Sequence, residues 1–287
     1  MSLLSALIVL RAEESVVVPG NLARATHAWF LDRVRRVDAR LADQLHEPDR
    51  ERPFTVSNLW GPGMPRTGMW NGRTQWEIRP QEDVYVRLTS FSPLLTELLE
   101  ERVLADLEDE VVWGGARLAI TRVVTRSEEV VEPLRPWVGR TTYEALLSGA
   151  AFAQAPASRV TLRFVSPTVF HSRGHFMPLP LPRLVFESLT RRWNAFAPMR
   201  VHEDVVRYAD EAMAISAYRL HTEHVRFGEG GEHGAMSGFV GRCTYVMRVK
   251  DRYWMALVHA LAHFALYAGV GKRTSMGLGQ VRALGSR

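Results

Sequence analysis

The stretch Arg252–Leu284, RYWMALVHALAHFALYAGVGKRTSMGLGQVRAL, decides how the rest of the chain is read. It opens as a strongly apolar helix and ends, at GQVRAL, in the alternation of a strand. Between the two, Gly269, Gly271, Gly277 and Gly279 bracket Lys272, Arg273, Thr274 and Ser275. Gly271-Lys272 looks at first like a Walker A loop. That motif needs a hydroxyl after the lysine, where Arg273 stands, and a glycine where Leu266 stands. It also leads from strand into helix, and this loop runs the other way. Gly269 suits a left-handed helix cap. Four glycines in eleven residues around two cations ask for more than a cap. Backbone that can approach closely and turn its N–H groups inward makes an anion-binding concavity. The expected occupant is a run of polynucleotide phosphates.

This helix–loop–strand closes a series. Upstream, RVTLRFV reads as a strand and LPRLVFESLTRRWNAF as a helix. AMAISAYRLHTEHVRF and GFVGRCTYVMRV read as strands joined by the glycine-rich turn GEGGEHG. The first half runs in the same order. LLSALIVL (Leu3–Leu10) is a strand, VVVPGN a turn, and Leu22–Leu45 a helical pattern with a break at Asp38. FTVSNLW is a strand, and a long Gly/Pro/Trp-rich connection follows from Gly61 to Trp76. DVYVRLTSF is a strand, Ser92-Pro93 opens the helix PLLTELLEERVLADL, and ARLAITRVV closes the half. Each half is β-α-β-β-α-β, the ferredoxin-like arrangement. The expected fold is α+β, two ferredoxin-like domains in tandem: residues 1–130 and 158–287, joined by a linker at 131–157.

The totals agree with a globular protein of this size. The chain has 287 residues, 46% hydrophobic and 23% charged, which suits two medium domains with real cores. No apolar run reaches the roughly 18–20 residues of a membrane span. LLSALIVL is short, has no basic leader and is followed by Arg11, so it reads as a strand rather than a signal peptide. The single cysteine, Cys243, excludes an internal disulfide and fits a reducing cytoplasm. The net charge is +5, and of 36 basic residues only Lys250 and Lys272 are lysines. Arginine forks match phosphate geometry, so nucleic acid is compatible with this balance. Codon bias is the preferred account of most of them.

At this point the sequence resembles a known family, the CRISPR repeat-processing endoribonucleases of the repeat-associated mysterious protein (RAMP) superfamily. The resemblance is carried by AGVGKRTSMGLGQV at the end and by LADQLHEPDRERPFTVSNL in the first half. LRFVSPTVF, LPRLVFESLTRRWNAF and GFVGRCTYVMRV add to it, in the right order along the chain. It implies two ferredoxin-like domains and metal-independent cleavage of a CRISPR transcript within each repeat. The 2′-hydroxyl attacks the adjacent phosphodiester and leaves a 2′,3′-cyclic phosphate and a 5′-hydroxyl. Such chemistry calls for an imidazole to move protons and a cation to hold charge on the phosphorane. Repeat RNA is the implied partner, with room for other CRISPR effector subunits and for a homodimer, and without a membrane or a cofactor.

The resemblance places a catalytic histidine at His46, in QLHEP after the first long helix, against the plainer reading of a helix-end imidazole facing the dipole. His27, in ATHAWF, is the second member, against a histidine packed beside the core. Arg50 and Arg52 are alternative sources of the cation. The RNA-binding set is Gly269, Gly271, Lys272, Arg273, Gly277 and Gly279, with Arg282 on the last strand. His171/His175, His221/Glu223/His224 and His259/His263 are the candidate metal ligands; none matches a zinc pattern closely. The rival function is a non-cutting RAMP subunit that holds guide RNA. An RRM-type binder is a third reading, weakened by the lack of the aromatic RNP pattern.

Overall fold

In the computed structural model, residues 2–47, 50–61, 75–151, 156–226 and 235–285 are described. The run LLSALIVL lies within β1 (Ser2–Arg11). Leu4, Ala6, Ile8 and Leu10 join the core beneath the helices, while Leu7 and Val9 pack on the opposite face. A strand buried on both faces has to be apolar throughout. The expected turn VVVPGN instead begins as a short strand, β2 (Val16–Pro19), which later pairs with β4 (Gln75–Ile78). The helical pattern splits at Asp38 into α1 (Ala23–Val37) and α2 (Ala39–His46). Asp38 is extended, and its carboxylate accepts the Leu41 N–H at 2.9 Å, an N-cap that restarts the helix in a new direction. β3 (Phe54–Val56) and β5 (Val84–Ser90) follow on either side of β4. Ser92 then caps α3 (Pro93–Leu98), which continues as a π-helical turn over Leu99–Val103. β6 (Glu110–Trp113), not expected from the sequence, makes a Gly114-Gly115 hairpin with β7 (Ala116–Val124). The sheet order β3-β5-β1-β7-β6 puts β1 at the centre, as a ferredoxin-like topology requires.

The linker expected at 131–157 carries structure of its own. β8 (Gly139–Thr142) pairs with Ser2–Ser5 of β1, where β7 has left off, and α4 (Tyr143–Ala151) packs on the last long helix of the second half. Proline and alanine marked the segment as a connection. Its Leu134, Trp137 and Val138, with Val130 just before it, nevertheless cover the open face of the first sheet, a pairing too long-range for local composition to show.

The second half repeats the topology. β9 (Arg159–Thr168) is followed by the small hairpin β10 (Phe170–Ser172) and β11 (His175–Met177), then α5 (Pro182–Phe196) and α6 (Val205–Ala212). β12 (Met213–Arg226) and β13 (Ala235–Met247) form a long hairpin, and α7 (Arg252–Ala268) and β14 (Val281–Leu284) complete the order β12-β13-β9-β14. β10, β11 and α6 lacked a periodic signal long enough to detect. The GEGGEHG turn and most of the Trp60–Trp76 connection lie outside the described residues; Trp60 itself is buried edge-on against Trp137. Among the described residues, no helix is long and apolar enough to cross a membrane.

The halves are joined at the C-terminal end of α7. A helix leaves its last carbonyls without intrahelical partners. Arg87, on β5 and 1% exposed, donates through its guanidinium to the Leu266 carbonyl and to Gln280 Oε1 (2.6 Å), and through Nε to Ser5 Oγ and the Trp137 carbonyl. Thr89 donates to the Tyr267 carbonyl at 2.6 Å. From the other side Arg192 of α5 donates to the Ala268 carbonyl (2.5 Å) and the Gly271 carbonyl (2.7 Å). Burial pulls Arg87 down to about 9 and Arg192 to about 10, so both remain cationic at neutral pH. Removing the Arg87 side chain orphans several buried acceptors, each worth about 1–3 kcal/mol. Arg87→Ala is therefore expected to lower stability by roughly 3 kcal/mol or more in equilibrium urea unfolding. A loss below about 1 kcal/mol would mean that water satisfies these carbonyls.

Candidate active site at the domain seam

α1 carries His27 toward the second half, where its Nδ1 donates to the Ser275 carbonyl at 2.8 Å. A carbonyl only accepts, so this bond sets the tautomer: Nδ1 holds the proton and Nε2 the lone pair. The ring lies against Phe54, centroids 5.9 Å apart and nearly parallel. Burial pushes the imidazole down to about 4; the bond to the Ser275 carbonyl opposes this, and Arg52 and His46 nearby add to the lowering. His27 is therefore neutral at physiological pH.

His46 is the exposed last residue of α2. It lies near enough to act electrostatically on His27, nineteen positions earlier in the chain. The alternatives Arg50 and Arg52 separate. Arg50 is exposed and pairs with Glu47 at 2.8 Å, whereas Arg52 is half-buried, donates to the Leu45 carbonyl at 2.9 Å and acts on His27. Between them Glu51 reaches the second half and pairs with Arg191 and with Arg192 (3.4 Å). Burial raises the Glu51 carboxyl, but the two arginines more than offset it and hold it below its usual range. The strand β3 and the loop before it are thus clamped on α5, which fixes the segment bearing Arg52. Sequence reading missed Glu51, Arg192 and Ser275, because charged residues and a backbone carbonyl give no local sign of a partner elsewhere in the chain.

The glycine loop departs from the expectation built on it. Gly269, Gly271, Gly277 and Gly279 all have positive φ. A Cβ on Gly279 would lie 2.0 Å from the Val270 carbonyl oxygen, and one on Gly271 2.4 Å from that of Val169. The N–H groups of Val270, Lys272, Gly277 and Gly279 donate to the carbonyls of Gly279, Val169, Val56 and Pro167, and those of Gly271 and Gln280 to Ser188 and Ser166 hydroxyls. These amides close the loop on itself, on β3, on β9 with the residue after it, and on α5 rather than forming an open concavity, so the glycines serve its compactness. Lys272 and Arg273 remain exposed at its tip, while Arg282 lies half-buried on β14 with its guanidinium 5.5 Å from the Trp137 ring.

Four of the six candidate ligand histidines have partners of their own. His171 packs edge-on against Phe176, His221 Nε2 meets Glu223 Oε1 at 3.1 Å, His224 bonds Ser237, and His259 bonds the Ala157 carbonyl at 2.7 Å.

Tandem ferredoxin-like domains docked through a glycine-rich loop define a two-domain RAMP protein. The chain belongs to the CRISPR-associated endoribonuclease Cas6 family: residues 4–148 match the Cas6 N-terminal domain and residues 162–281 the Cas6 endoribonuclease model. A Cas6 from Streptococcus thermophilus is 30% identical over 121 residues, covering 42% of this chain and 48% of the relative, so the match spans about half of that relative's length. A solved Cas6 product complex is 27% identical, covers 99% of this chain and 100% of its own, and superposes with a TM-score of 0.75. Cas6 of Thermus thermophilus is 25% identical over 98% of both chains, with a TM-score of 0.69.

The neutrality of His27 has a thermodynamic signature. Between pH 6.5 and about 4 the unfolded chain takes up a proton at this position that the folded chain refuses, so stability falls as pH drops through that window. His27→Gln should flatten the fall in urea unfolding at stepped pH. His263, also lowered by burial, contributes alike to both proteins, so the difference between the curves isolates His27. Parallel curves would mean the ring protonates freely in the fold.

Proposed function

We propose that the protein is an endoribonuclease that cuts CRISPR precursor RNA within its repeats by attack of the 2′-hydroxyl on the adjacent phosphodiester. The observation that carries this reading is the neutral imidazole of His27, held with Nε2 as acceptor by the Ser275 carbonyl and joined by His46 and Arg52. His27 Nε2 takes the proton of the 2′-hydroxyl as its oxygen closes on phosphorus. His46, open to solvent, delivers a proton to the departing 5′-oxygen. Arg52 stands over the phosphorane charge. Atoms balance: the P–O5′ bond breaks as the P–O2′ bond forms, one proton leaves and one is delivered. The products are a 2′,3′-cyclic phosphate and a 5′-hydroxyl, and the residues supply the acid, base and cation the transfer requires.

This reading is tested by single-turnover cleavage of the cognate repeat in EDTA. The wild-type protein should cut, and a 2′-deoxy substitution at the scissile nucleotide should abolish cutting. His46→Ala should slow it by about 10²–10⁴-fold with little change in RNA affinity, the usual weight of a positioned acid or base. Full activity in His46→Ala removes that residue from the mechanism. Activity lost in EDTA and restored by a divalent ion sinks the metal-free route. A wild-type protein that binds the repeat tightly and cuts nothing is instead the guide-holding subunit.

Exposed at the loop tip, Lys272 and Arg273 are assigned to the RNA backbone. Lys272→Ala with Arg273→Ala should weaken binding and make the slope of log affinity against log salt shallower by about 0.7 for each lost contact on single strands. An unchanged slope would take the tip off the RNA path.

A further inference from the structure

The two ends of the His27–Ser275 hydrogen bond belong to different halves of the chain, and residues 56–58, the end of β3 and its tail, touch both. The tail is held on β5. The Ser57 N–H donates to the Arg87 carbonyl and the Arg87 N–H to Ser57 Oγ, each at 2.8 Å, and Trp60 and Tyr85 exchange backbone bonds at 2.7 and 2.9 Å. Toward the second half, the Val56 carbonyl accepts the Gly277 N–H at 2.8 Å. Gly277 has φ +84°, and a Cβ there would lie 3.0 Å from the Asn58 amide nitrogen and 3.1 Å from Ala23 Cβ. The loop that bears Ser275 is thus seated on this tail and on the start of α1.

The same tail holds α1 from its first turn. A helix leaves its first N–H groups without intrahelical acceptors, and Leu22, at the N-cap position, has no side-chain oxygen to offer. Asn58, 2% exposed, supplies an acceptor from a distant part of the chain. Its Oδ1 takes the Leu22 N–H at 2.7 Å, and its Nδ2 donates to the Gly20 carbonyl at 3.0 Å. These two partners fix which way the amide points, since only its oxygen accepts and only its nitrogen donates. Thr26 adds a second tie, its hydroxyl donating to the Ser57 carbonyl at 3.0 Å. His27 is the next residue.

We propose that Asn58 is a positioning residue for RNA cleavage: its side chain grips the start of α1 while its backbone abuts the glycine loop, and so it sets the reach from the His27 ring to the Ser275 carbonyl. This role presupposes the nuclease reading above. Buried as it is, Asn58 acts only through His27. With the carbonyl in reach, Nδ1 keeps its proton and Nε2 its lone pair for the 2′-hydroxyl. If α1 slips, the ring exchanges tautomers, and an imidazole protonated at Nε2 cannot take a proton there. A misplacement of about 1 Å costs on the order of 10²-fold in rate. Leucine at this position keeps the shape of asparagine and loses both hydrogen bonds. Aspartate keeps the acceptor for Leu22, and its charge faces the positive end of α1.

The test compares Asn58→Leu and Asn58→Asp with the wild-type chain. Nitrogen NMR at neutral pH reads the His27 tautomer, its signals identified by their loss in His27→Gln. Single-turnover cleavage at saturating repeat RNA, equilibrium RNA binding and urea unfolding complete the set. In Asn58→Leu the two ring nitrogens should converge as tautomers exchange, and cleavage should slow by about 10²-fold with RNA affinity unchanged. Asn58→Asp should restore the fixed tautomer and most of the rate. A His27 tautomer that stays fixed in Asn58→Leu overturns the proposal, whatever happens to rate or stability. Equal losses in the two variants overturn it as well, because the bond to Leu22 is then not what matters. If Asn58→Leu does not fold, Thr26→Val removes the second tie and is read in the same way, an unchanged tautomer there counting against the proposal. A wild-type chain that never cuts the repeat defeats the nuclease reading, while the tautomer still reports whether Asn58 positions His27.

Discussion

Two buried guanidinium groups on the C-terminal carbonyls of α7 hold this molecule together. The end of a helix carries partial negative charge and unpaired acceptors, and a domain seam is a costly place to leave either. Arg87 comes from the first domain and Arg192 from the second, so the helix end is gripped from both sides. Glu51, reaching over from the first domain, compensates Arg192. The arrangement keeps charge in the interior only where hydrogen bonds satisfy it, the condition under which buried ions are tolerated. Once α7 is fixed, the loop that follows it is fixed as well, and with it the carbonyl that orients His27.

The parts of this architecture that sequence makes visible are those with local causes. Alternation and helical spacing marked both ferredoxin-like orders, Asp38 announced its break because it caps, and Ser92-Pro93 announced a start. The π-helical turn, the β6–β7 hairpin and the covering segment around Trp137 depend on what they pack against, and short apolar pieces carry no period to read. The candidate site divides in the same way. His27 and His46 could be named from a resemblance, and Arg52 only as one of two alternatives with Arg50. The lowered affinity of His27 for its proton is a product of burial between domains, and no residue near it in the chain foretells that.

The glycine loop is the instructive case, since its residues were noticed for one reason and are needed for another. Positive φ and carbonyl oxygens within 2.0–2.4 Å of where a side chain would begin make glycine a steric requirement at Gly271 and Gly279. A pattern of this kind marks how two domains dock. It would persist in a relative that had lost the imidazoles, so it speaks to architecture more than to catalysis.

The hydrogen bond between His27 and Ser275 joins residues 248 positions apart. A ribosome adding about 5–20 residues per second needs roughly 12–50 s to travel that distance. Throughout that interval the first domain can be out and folded with its histidines in place, yet without the carbonyl that sets the tautomer of His27. Under the proposed mechanism the tautomer of His27 is therefore set late in synthesis, as a property of the finished chain and not of the emerging first domain.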